Sequence, residues 1–326
     1  MEKYDLLSVG ELLIDLISDG FAENFADVTD FKRIPGGSPA NLCMNMARLG
    51  KKTKLVAGVG NDDMGKFLYD YVADLGVDCT HLEKKPTPTT LILVTRSQKV
   101  SNFEAYRGAD AQIEAHQLSD DILENTRIFH TTCFGLSIEP AQSVIMNAAE
   151  RAYQLGCQLS IDANYAQKIW QNQTEAQMIV EKYCSMGALV KISEVDWERL
   201  YNQKLTDYKA TAEYLLSLGA KEVCVTLGGD GCYVASEIEG YFLEARPVEV
   251  KDTTGAGDAF WSGYLTAWCD GHSLLEKAMA GRRMAEIKLG YFGPLPKIVD
   301  KNDIYAHTTD IGRSKLISNA NIGLDN

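Results

Sequence analysis

Short apolar runs alternate with amphipathic stretches along most of the chain. The first run, "YDLLSV", has the length and composition of a buried strand, and "SPANLCMNMARLG" places apolar residues at helical spacing. Ser38 is expected to be the N-cap of this helix, with Pro39 at its first position and Gly50 at its end. The pattern predicts a strand and a helix in the first fifty residues.

The same alternation continues toward the C-terminus. "TKLVAGV" is predicted to be a second strand, followed by a helix that ends at Gly76, and a later helix is expected to begin at Pro140 and end near Gly156. Further strands are predicted at "RIFHTTCF", "QLSID", "ALVKI" and "KEVCVTL". Repeated strand and helix units predict an α/β fold with a doubly wound, mainly parallel sheet and helices on both faces.

Two stretches interrupt this alternation. "LLIDLIS" and residues 31–34 are predicted to be strands with no helix between them, and "TTLILVTRSQKVSNFEAYRG" is predicted to be a hairpin that turns near Gln98. We expect a small β-sheet lid formed by insertions near 12–35 and 87–110. Because no linker, repeat or low-complexity tract divides the chain, residues 1–326 are expected to form a single domain.

Composition and charge exclude several classes of protein. The 326 residues are 45% hydrophobic and 24% charged, which is typical of a globular protein, and the net charge of −13 argues against a nucleic-acid partner. No stretch reaches the roughly 18 apolar residues of a membrane span, and the first residues lack the basic region of a signal peptide. We therefore expect a cytoplasmic protein with no membrane partner.

The eight cysteines are scattered, without a CxxC motif or a paired histidine. Neither a disulfide framework nor a zinc site is indicated, and the cysteines are expected to be buried thiols.

Candidate chemistry begins with "DTTGAGDAF". This segment follows the predicted strand "RPVEVK" and precedes a predicted helix, so that Gly255, Ala256 and Gly257 are expected at a helix N-terminus, where free N–H groups attract an anion. Asp258 directly behind them is unfavourable for a permanent anion. It is favourable for a phosphoryl group in transfer to a hydroxyl that must lose its proton. The alternative is that Asp258 only stabilises its own helix.

Two further glycine-rich turns lie close to predicted strands or helices. "PGGSPAN" leads into the first helix and carries Asn41 in the first turn, where its amide could bind a polyol. "TLGGDG", residues 226–231, follows a predicted strand. Each turn could instead be an ordinary tight turn or hairpin, but three such turns together favour a binding site. The chain has no GxxxxGK[ST] motif, which excludes a P-loop kinase.

These segments resemble one known family. Between about residue 5 and residue 300, the chain is similar to the ribokinase-like (PfkB) sugar kinases, and most similar to fructokinases. The motifs that carry the resemblance are "PGGSPANLCMNMARLG", "VGNDDMGKFLYDYVADLGVD", "YRGAD", "SIDANYAQKIW", "KISEVDWERL", "TLGGDG" and "DTTGAGDAFWSGYL".

The resemblance implies an enzyme that transfers the γ-phosphoryl group of ATP to a primary hydroxyl of a sugar. It assigns Asp258 as general base and Gly255, Ala256 and Gly257 as the anion hole. The sugar-binding positions it implies are Asp15, Gly36, Gly37, Asn41 and Arg107, the last matching an arginine that fructokinases carry near the substrate.

Cofactor positions are also implied by the resemblance. On the nucleotide side they are Lys191, Ser193, Thr226, Gly228 and Gly231. Asp252 and Thr254 match residues that hold a monovalent cation, K⁺, in many members of the family. Asp196 matches an acidic residue linked to Mg²⁺.

The chain departs from the family pattern in three places. "DAN" at 162–164 replaces the usual "DPN", with Gln167 near a position where fructokinases usually have arginine. Asp196 replaces a glutamate, which shortens its reach toward hydrated Mg²⁺. Segment 280–294 carries the charged residues Arg282, Arg283, Glu286 and Lys288, where the family has small ones. These four side chains either point to solvent or alter the nucleotide site.

The sequence is compatible with several hypotheses about the function. Fructose is the leading acceptor, and ribose, a nucleoside or a keto-deoxy sugar acid are the alternatives. A non-catalytic sugar-binding protein on a kinase fold is an alternative of another class. Because projecting lid strands would expose edges and an apolar face, we expect a homodimer through the lid.

Overall fold

The computed structural model describes residues 3–96 and 102–306 and the backbone of 314–316. Its strands are β1 (Tyr4–Val9), β2 (Leu13–Phe21), β3 (Phe31–Gly36), β4 (Thr53–Gly60), β5 (Asp78–Lys85), β6 (Leu91–Arg96), β7 (Phe103–Tyr106), β8 (Thr126–Thr132), β9 (Gln158–Asp162), β10 (Leu189–Ser193), β11 (Glu222–Thr226), β12 (Gly231–Ser236), β13 (Gly240–Glu244) and β14 (Ser314–Leu316). Its helices are α1 (Ser38–Arg48), α2 (Asp63–Asp74), α3 (Asp120–Glu124), α4 (Ala141–Gln154), α5 (Gln173–Ser185), α6 (Glu194–Tyr201), α7 (Tyr208–Ser217), α8 (Ala256–Cys269), α9 (Leu274–Leu289) and α10 (Lys301–Tyr305).

The main sheet has ten strands in the order β14-β13-β12-β11-β10-β9-β8-β1-β4-β5. All pairs from β5 to β11 are parallel, and the pairs from β11 to β14 are antiparallel. The predicted mainly parallel sheet is therefore confirmed, with antiparallel strands added at one end.

Helices cover both faces of this sheet, as the pattern of burial shows. Leu6 and Leu7 of β1 are both fully buried, but they belong to different apolar clusters, and the same is true of Ile128 and Phe129 of β8. Successive side chains of a strand point to opposite faces, so each face has its own core. This explains why the strands appear in the sequence as continuous apolar runs.

A separate four-stranded sheet, here called the lid, has the order β3-β2-β6-β7. Strand β2 pairs antiparallel with β3 and parallel with β6, where Asp15 is opposite Ile92. Strands β6 and β7 form the predicted antiparallel hairpin. Its turn near Gln98 lies outside the described residues.

Two local predictions are wrong. Ser38 is not an N-cap: Gly37 caps α1 and Ser38 is its first residue, because the serine hydroxyl bonds to a distant carboxylate instead. Residues 246–251, the predicted strand "RPVEVK", form no strand. The edge beside β13 is already occupied by β14, and this segment instead runs along a cavity, where Lys251 donates its N–H to the carbonyl of Leu289 at 2.8 Å.

All eight cysteines are buried and free of disulfides, as predicted. Within residues 3–96 and 102–306, no helix has the length and apolar content needed to cross a membrane.

Candidate active site

A cavity of about 950 Å³ lies where the main sheet meets the lid. One wall is formed by the carboxyl ends of β9, β10 and β11, which contribute Asp162, Lys191 and Thr226. The lid contributes Leu13 and Asp15, and the first turn of α8 closes the cavity between these walls. Carboxyl ends of parallel strands are the usual ligand site of such sheets, and the volume is at the upper end of the range for small-molecule sites.

The first turn of α8 has the free backbone donors that the sequence predicts. Gly255 is the N-cap with φ of +74°, a left-handed conformation that glycine adopts without strain. The N–H of Ala256 donates to the carbonyl of Thr253 at 3.2 Å and is therefore used within the turn. In the part of the chain that the structure describes, the N–H groups of Gly255, Gly257 and Asp258 have no acceptor. These three donors, with the helix dipole, can bind an anion.

Asp258 is held by two side chains from the first turn of α1. The hydroxyl of Ser38 donates to Oδ1 at 2.6 Å, and the amide of Asn41 donates to Oδ2 at 2.9 Å. Both contacts join parts of the chain more than 200 residues apart. They fix the carboxylate beside the free N–H groups. Asn41 was predicted to bind a sugar hydroxyl. It lines the cavity, but part of its capacity to donate is used on Asp258.

A buried ion pair lies next to the turn. Lys191 Nζ is 2.9 and 2.7 Å from the two carboxylate oxygens of Asp162, and both side chains are at least nine-tenths buried. A β-carbon placed on Gly257 would lie 3.3 Å from Lys191 Nζ, so that the ammonium is next to the anion hole. Burial lowers the pKa of Lys191, but attraction from Asp162 and Asp196 outweighs it and raises the pKa, which keeps the lysine charged.

Asp15 enters the cavity from lid strand β2. Among the described residues, no protein group donates a hydrogen bond to its carboxylate. Burial, and then repulsion from Asp258 and Asp252, raise its pKa to about 7. Gly36 lies directly against this side chain, because a β-carbon at position 36 would overlap Asp15 Oδ2. A carboxylate without protein donors in a cavity is suited to a ligand rich in hydroxyl groups.

Glu11 is a site residue that the sequence analysis did not identify. Its side chain lines the cavity between Asp15 and the glycine turn at Gly37, and Oε1 accepts the N–H of Ser38 at 3.1 Å. Burial raises its pKa to about 8, although its own backbone N–H and Arg107 act in the opposite direction. The signal was an acidic residue inside the apolar run "VGELLIDL".

Arg107 is not among the residues that line the cavity. Its guanidinium bonds to Asp110 Oδ2 at 2.5 and 2.9 Å and to the hydroxyl of Ser137 at 2.5 Å, and it stacks on the ring of Phe134. Phe134 does line the cavity. The predicted sugar-binding arginine therefore lies behind the ring of Phe134 and packs against it, while Phe134 itself lines the cavity.

The predicted nucleotide-side residues are close together at the far end of the cavity, around the loops after β10 and β11. Those that line it are Lys191, Ser193, Asp196, Thr226, Gly228 and Gly231. Ser193 and Asp196 form a capping box at the start of α6. Asp196 Oδ2 accepts the N–H of Ser193 at 3.0 Å, and Oδ1 accepts the N–H of Tyr165 at 3.0 Å. Through these two hydrogen bonds, Asp196 joins the start of α6 to the loop at Tyr165.

The charged residues of α9 do not all point to solvent. Arg282 and Glu286 line the nucleotide end of the cavity, and the Glu286 side chain is only 8% exposed. Arg282 Nε is 3.8 Å and Arg283 Nη1 is 3.2 Å from the Glu286 carboxylate. The first of the two alternatives, that these side chains point to solvent, therefore does not hold for Arg282 and Glu286.

The predicted cation site at Asp252 and Thr254 does not fit K⁺. Asp252 Oδ1 accepts the N–H of Thr254 at 3.0 Å, and Oδ2 accepts the N–H of Gly293 at 3.2 Å. The ammonium of Lys288 is 3.5 Å from the same Oδ2. A positive charge of the protein itself thus occupies the position beside this carboxylate. Among the described residues, no group of three histidine, cysteine or acidic side chains could hold a metal ion.

Taken together, these groups can catalyse the transfer of a negatively charged group to a hydroxyl. Free N–H groups and Lys191 can stabilise negative charge on a transferring group, while Asp258 can accept a proton from a hydroxyl held near Asp15.

Comparisons with known proteins agree with this geometry. The model of the family described as "pfkB family carbohydrate kinase" matches residues 3–300. An ATP-dependent 6-phosphofructokinase of Thermoanaerobacterium thermosaccharolyticum is 33% identical over 303 residues, which cover 93% of this chain and 92% of that protein. A probable fructokinase-3 of Arabidopsis thaliana is 33% identical over 280 residues, covering 84% and 81% of the two chains.

A solved structure supports the same conclusion. An uncharacterized sugar kinase of Pyrococcus horikoshii, in complex with ATP, has a TM-score of 0.78 and 25% identity, covering 91% of this chain and 96% of that one. The ribokinase-like fold and the ATP-dependent kinase activity predicted from the sequence are thereby confirmed. The chain is an ATP-dependent sugar kinase and belongs to the pfkB family of carbohydrate kinases.

Proposed function

We propose that the protein is a fructokinase, which transfers the γ-phosphoryl group of ATP to a primary hydroxyl of fructose. The observation that carries the proposal is the position of Asp258, which is fixed by Ser38 and Asn41 beside free N–H groups and opens into the same cavity as the unpartnered Asp15. One cavity thus contains a general base, an anion hole and a carboxylate that can accept hydrogen bonds from sugar hydroxyls.

In the proposed reaction, Asp15 accepts hydrogen bonds from sugar hydroxyls and holds the reacting hydroxyl toward Asp258. Asp258 accepts the hydroxyl proton as the sugar oxygen bonds to phosphorus and the bond to the leaving ADP breaks. The N–H groups of Gly255 and Gly257, with Lys191, stabilise the charge on the transferring group. The proton on Asp258 then passes to solvent, and ADP and the sugar phosphate leave.

The lid end of the cavity favours an uncharged sugar. Its described lining from the lid is apolar apart from Asp15, with Leu13, Ile92, Val94 and Phe103. Because the Asp15 carboxylate would repel a second phosphate, fructose is favoured over fructose 6-phosphate, the acceptor suggested by the name of one relative. Fructose 6-phosphate is nevertheless the second candidate because of that relative.

The cofactor requirements follow from the same site. We propose that Mg²⁺ enters bound to the phosphates of ATP, since this ion usually keeps several waters and few protein ligands. Asp196 would act on it by holding the loops at Tyr165 and Ser193 in place.

We also propose that the whole chain works as one kinase unit and forms a dimer through its lids. The lid has two edge strands, β3 and β7, and exposes Phe21 and Tyr106, which are 60% and 62% accessible. A partner lid could cover both features. Light scattering at micromolar concentration should give the mass of two chains, and a monomer would contradict the proposal. The buried free thiols fit a reducing compartment such as the cytoplasm.

A sugar panel tests the acceptor. ADP release is measured with fructose, ribose, a nucleoside, a keto-deoxy sugar acid and fructose 6-phosphate at saturating Mg·ATP. We expect the highest kcat/KM with fructose. A higher kcat/KM with any other acceptor would overturn the assignment, and sugar binding by calorimetry without ADP release would favour the non-catalytic alternative.

A further inference from the structure

The ammonium of Lys288 is buried beside the anion hole. Lys288 lies in the last turn of α9, and its side chain is 9% exposed. Its Nζ is 3.5 Å from Asp252 Oδ2 and 3.4 Å from the carbonyl oxygen of Tyr291. A carboxylate and a backbone carbonyl are the oxygen ligands that a hard cation would take, and here they face a lysine.

The lysine also contacts the turn that forms the anion hole. A β-carbon placed on Gly255 would lie 3.7 Å from Lys288 Cε. Thr254 connects the two, because its N–H bonds to Asp252, the partner of Lys288. The ammonium therefore helps to fix the conformation of residues 252–255. This turn in turn positions the N–H groups at the start of α8.

Three acidic side chains surround the ammonium of Lys288. Asp15, Asp252 and Lys288 line a second, small cavity of about 40 Å³ behind Gly255, and Asp258 is close enough to raise the pKa of Asp15. Burial raises the pKa of Asp252, but hydrogen bonding by Thr254 and attraction from Lys288 outweigh it, so that this carboxyl stays ionised. Burial lowers the pKa of Lys288, and attraction from Asp252 and Asp258 offsets only part of that decrease.

We infer that Lys288 replaces the monovalent cation beside the anion hole, so that the enzyme needs neither K⁺ nor Na⁺. Lys288 is a positioning residue: it holds the Asp252–Gly255 turn and compensates the acidic groups around it, without touching the reacting atoms. The inference rests on the proposed role of the α8 N-terminus in phosphoryl transfer.

The first test compares ions in the wild-type protein. kcat is measured with 100 mM KCl, NaCl or choline chloride at constant Mg·ATP and saturating acceptor. We expect the three values to agree within about twofold. A loss of fivefold or more in choline chloride would overturn the inference, because it would show that a free cation is required.

Two variants test the lysine itself. Lys288→Met keeps the length of the side chain and removes its charge, and we expect kcat to fall about ten- to hundredfold in every salt, since preorganisation of the turn is lost. Lys288→Ala removes the charge and opens space next to the small cavity. We expect it to lose activity in choline chloride and to recover much of it in KCl. Wild-type kcat in Lys288→Met would contradict the inference, as would an equal loss in Lys288→Ala in all salts.

A control variant and a second readout separate this inference from the proposed function. Lys277→Gln changes another buried lysine of α9, which pairs with Glu222, and should leave kcat independent of the salt. Thermal unfolding needs no substrate: KCl should raise the Tm of Lys288→Ala by about 2–4 °C relative to choline chloride, and should leave wild-type and Lys277→Gln unchanged. If no sugar is phosphorylated in any salt, the proposed function fails, and the Tm comparison still decides the inference.

Discussion

Replacement of Asp258 by asparagine tests the catalytic assignment with little change of shape. The introduced amide can keep both contacts, because its oxygen can accept from the Asn41 amide and its NH₂ group can donate to the hydroxyl oxygen of Ser38. What the variant loses is the basic oxygen. General base catalysis is commonly worth about 10²–10⁴-fold, which corresponds to roughly 2.7–5.4 kcal/mol of transition-state stabilisation. We therefore expect kcat to fall at least a hundredfold.

Stability should change much less than activity. Hydrogen bonds to a charged group contribute about 1 kcal/mol more than neutral ones, so that exchanging the two bonds of Asp258 should cost about 2 kcal/mol of unfolding free energy. Relief of the repulsion between Asp258 and Asp15 offsets part of this loss. ATP affinity should remain close to that of the wild-type protein, since the N–H groups of the first turn are retained.

The assay is ADP release in a coupled system with fructose as acceptor, together with calorimetric titration of ATP and urea unfolding. Glu175→Gln is the matched control: Glu175 lies in the first turn of α5 and accepts one amide hydrogen bond, from Gln142 at 3.1 Å, away from the cavity. It should lose about half as much unfolding free energy as Asp258→Asn, since one hydrogen bond is exchanged instead of two, and it should lose no activity. A folded Asp258→Asn enzyme with near wild-type kcat would refute the general-base assignment and leave only a helix-stabilising role.

Three other changes give distinct results. Gly36→Ala should displace the Asp15 carboxylate and raise KM for the sugar about tenfold or more, with KM for ATP unchanged; equal effects on both constants would contradict this. Arg282→Ala should raise KM for ATP about three- to tenfold, because the negative charge of Glu286 at the nucleotide end loses a compensating positive charge and repels ATP more strongly. An unchanged KM would place both side chains outside the site. The pKa of Glu11 is raised by burial from 4.5 to about 8, so its stabilising contribution is present at low pH and is lost as pH rises through that interval. Urea unfolding of Glu11→Gln between pH 5 and 8 should show a decline shallower by about 1.4 kcal/mol per pH unit than that of the wild-type protein, and parallel curves would refute the shift.

The strands and helices were largely predictable because their signals are local. A strand buried on both faces must be apolar throughout, as in β1 and β8, and a helix that packs on one face must repeat every three or four residues. Residues 246–251 have a strand-like composition, but a strand also needs a free edge to pair with. The edge beside β13 is occupied by β14, and nothing in the local sequence carries that information.

Within the site, the glycine turns were predictable and the polar contacts were not. Gly255 and Asp258 belong to one short motif whose conformation follows from helix geometry. Ser38 has the residue type of an N-cap, yet its hydroxyl bonds to a carboxylate 220 positions away, which only the packing of α1 against α8 determines. Lys191 was expected at the nucleotide, but its pairing with Asp162 depends on the neighbouring register of β9 and β10.

Strand β1 is synthesised before both of its neighbours in the sheet, β4 and β8, between which it lies. At ribosomal speeds of about 5–20 residues per second, the chain from Val9 to Thr126 takes roughly 6 to 24 s to appear. During this interval the edge of β1 that later pairs with β8 has no partner from its own chain, and Leu7 and Val9 lack the part of their core that comes from α4 and β9. The nascent chain is therefore most prone to aggregation before β8 emerges, and it is there that a chaperone would be of most use.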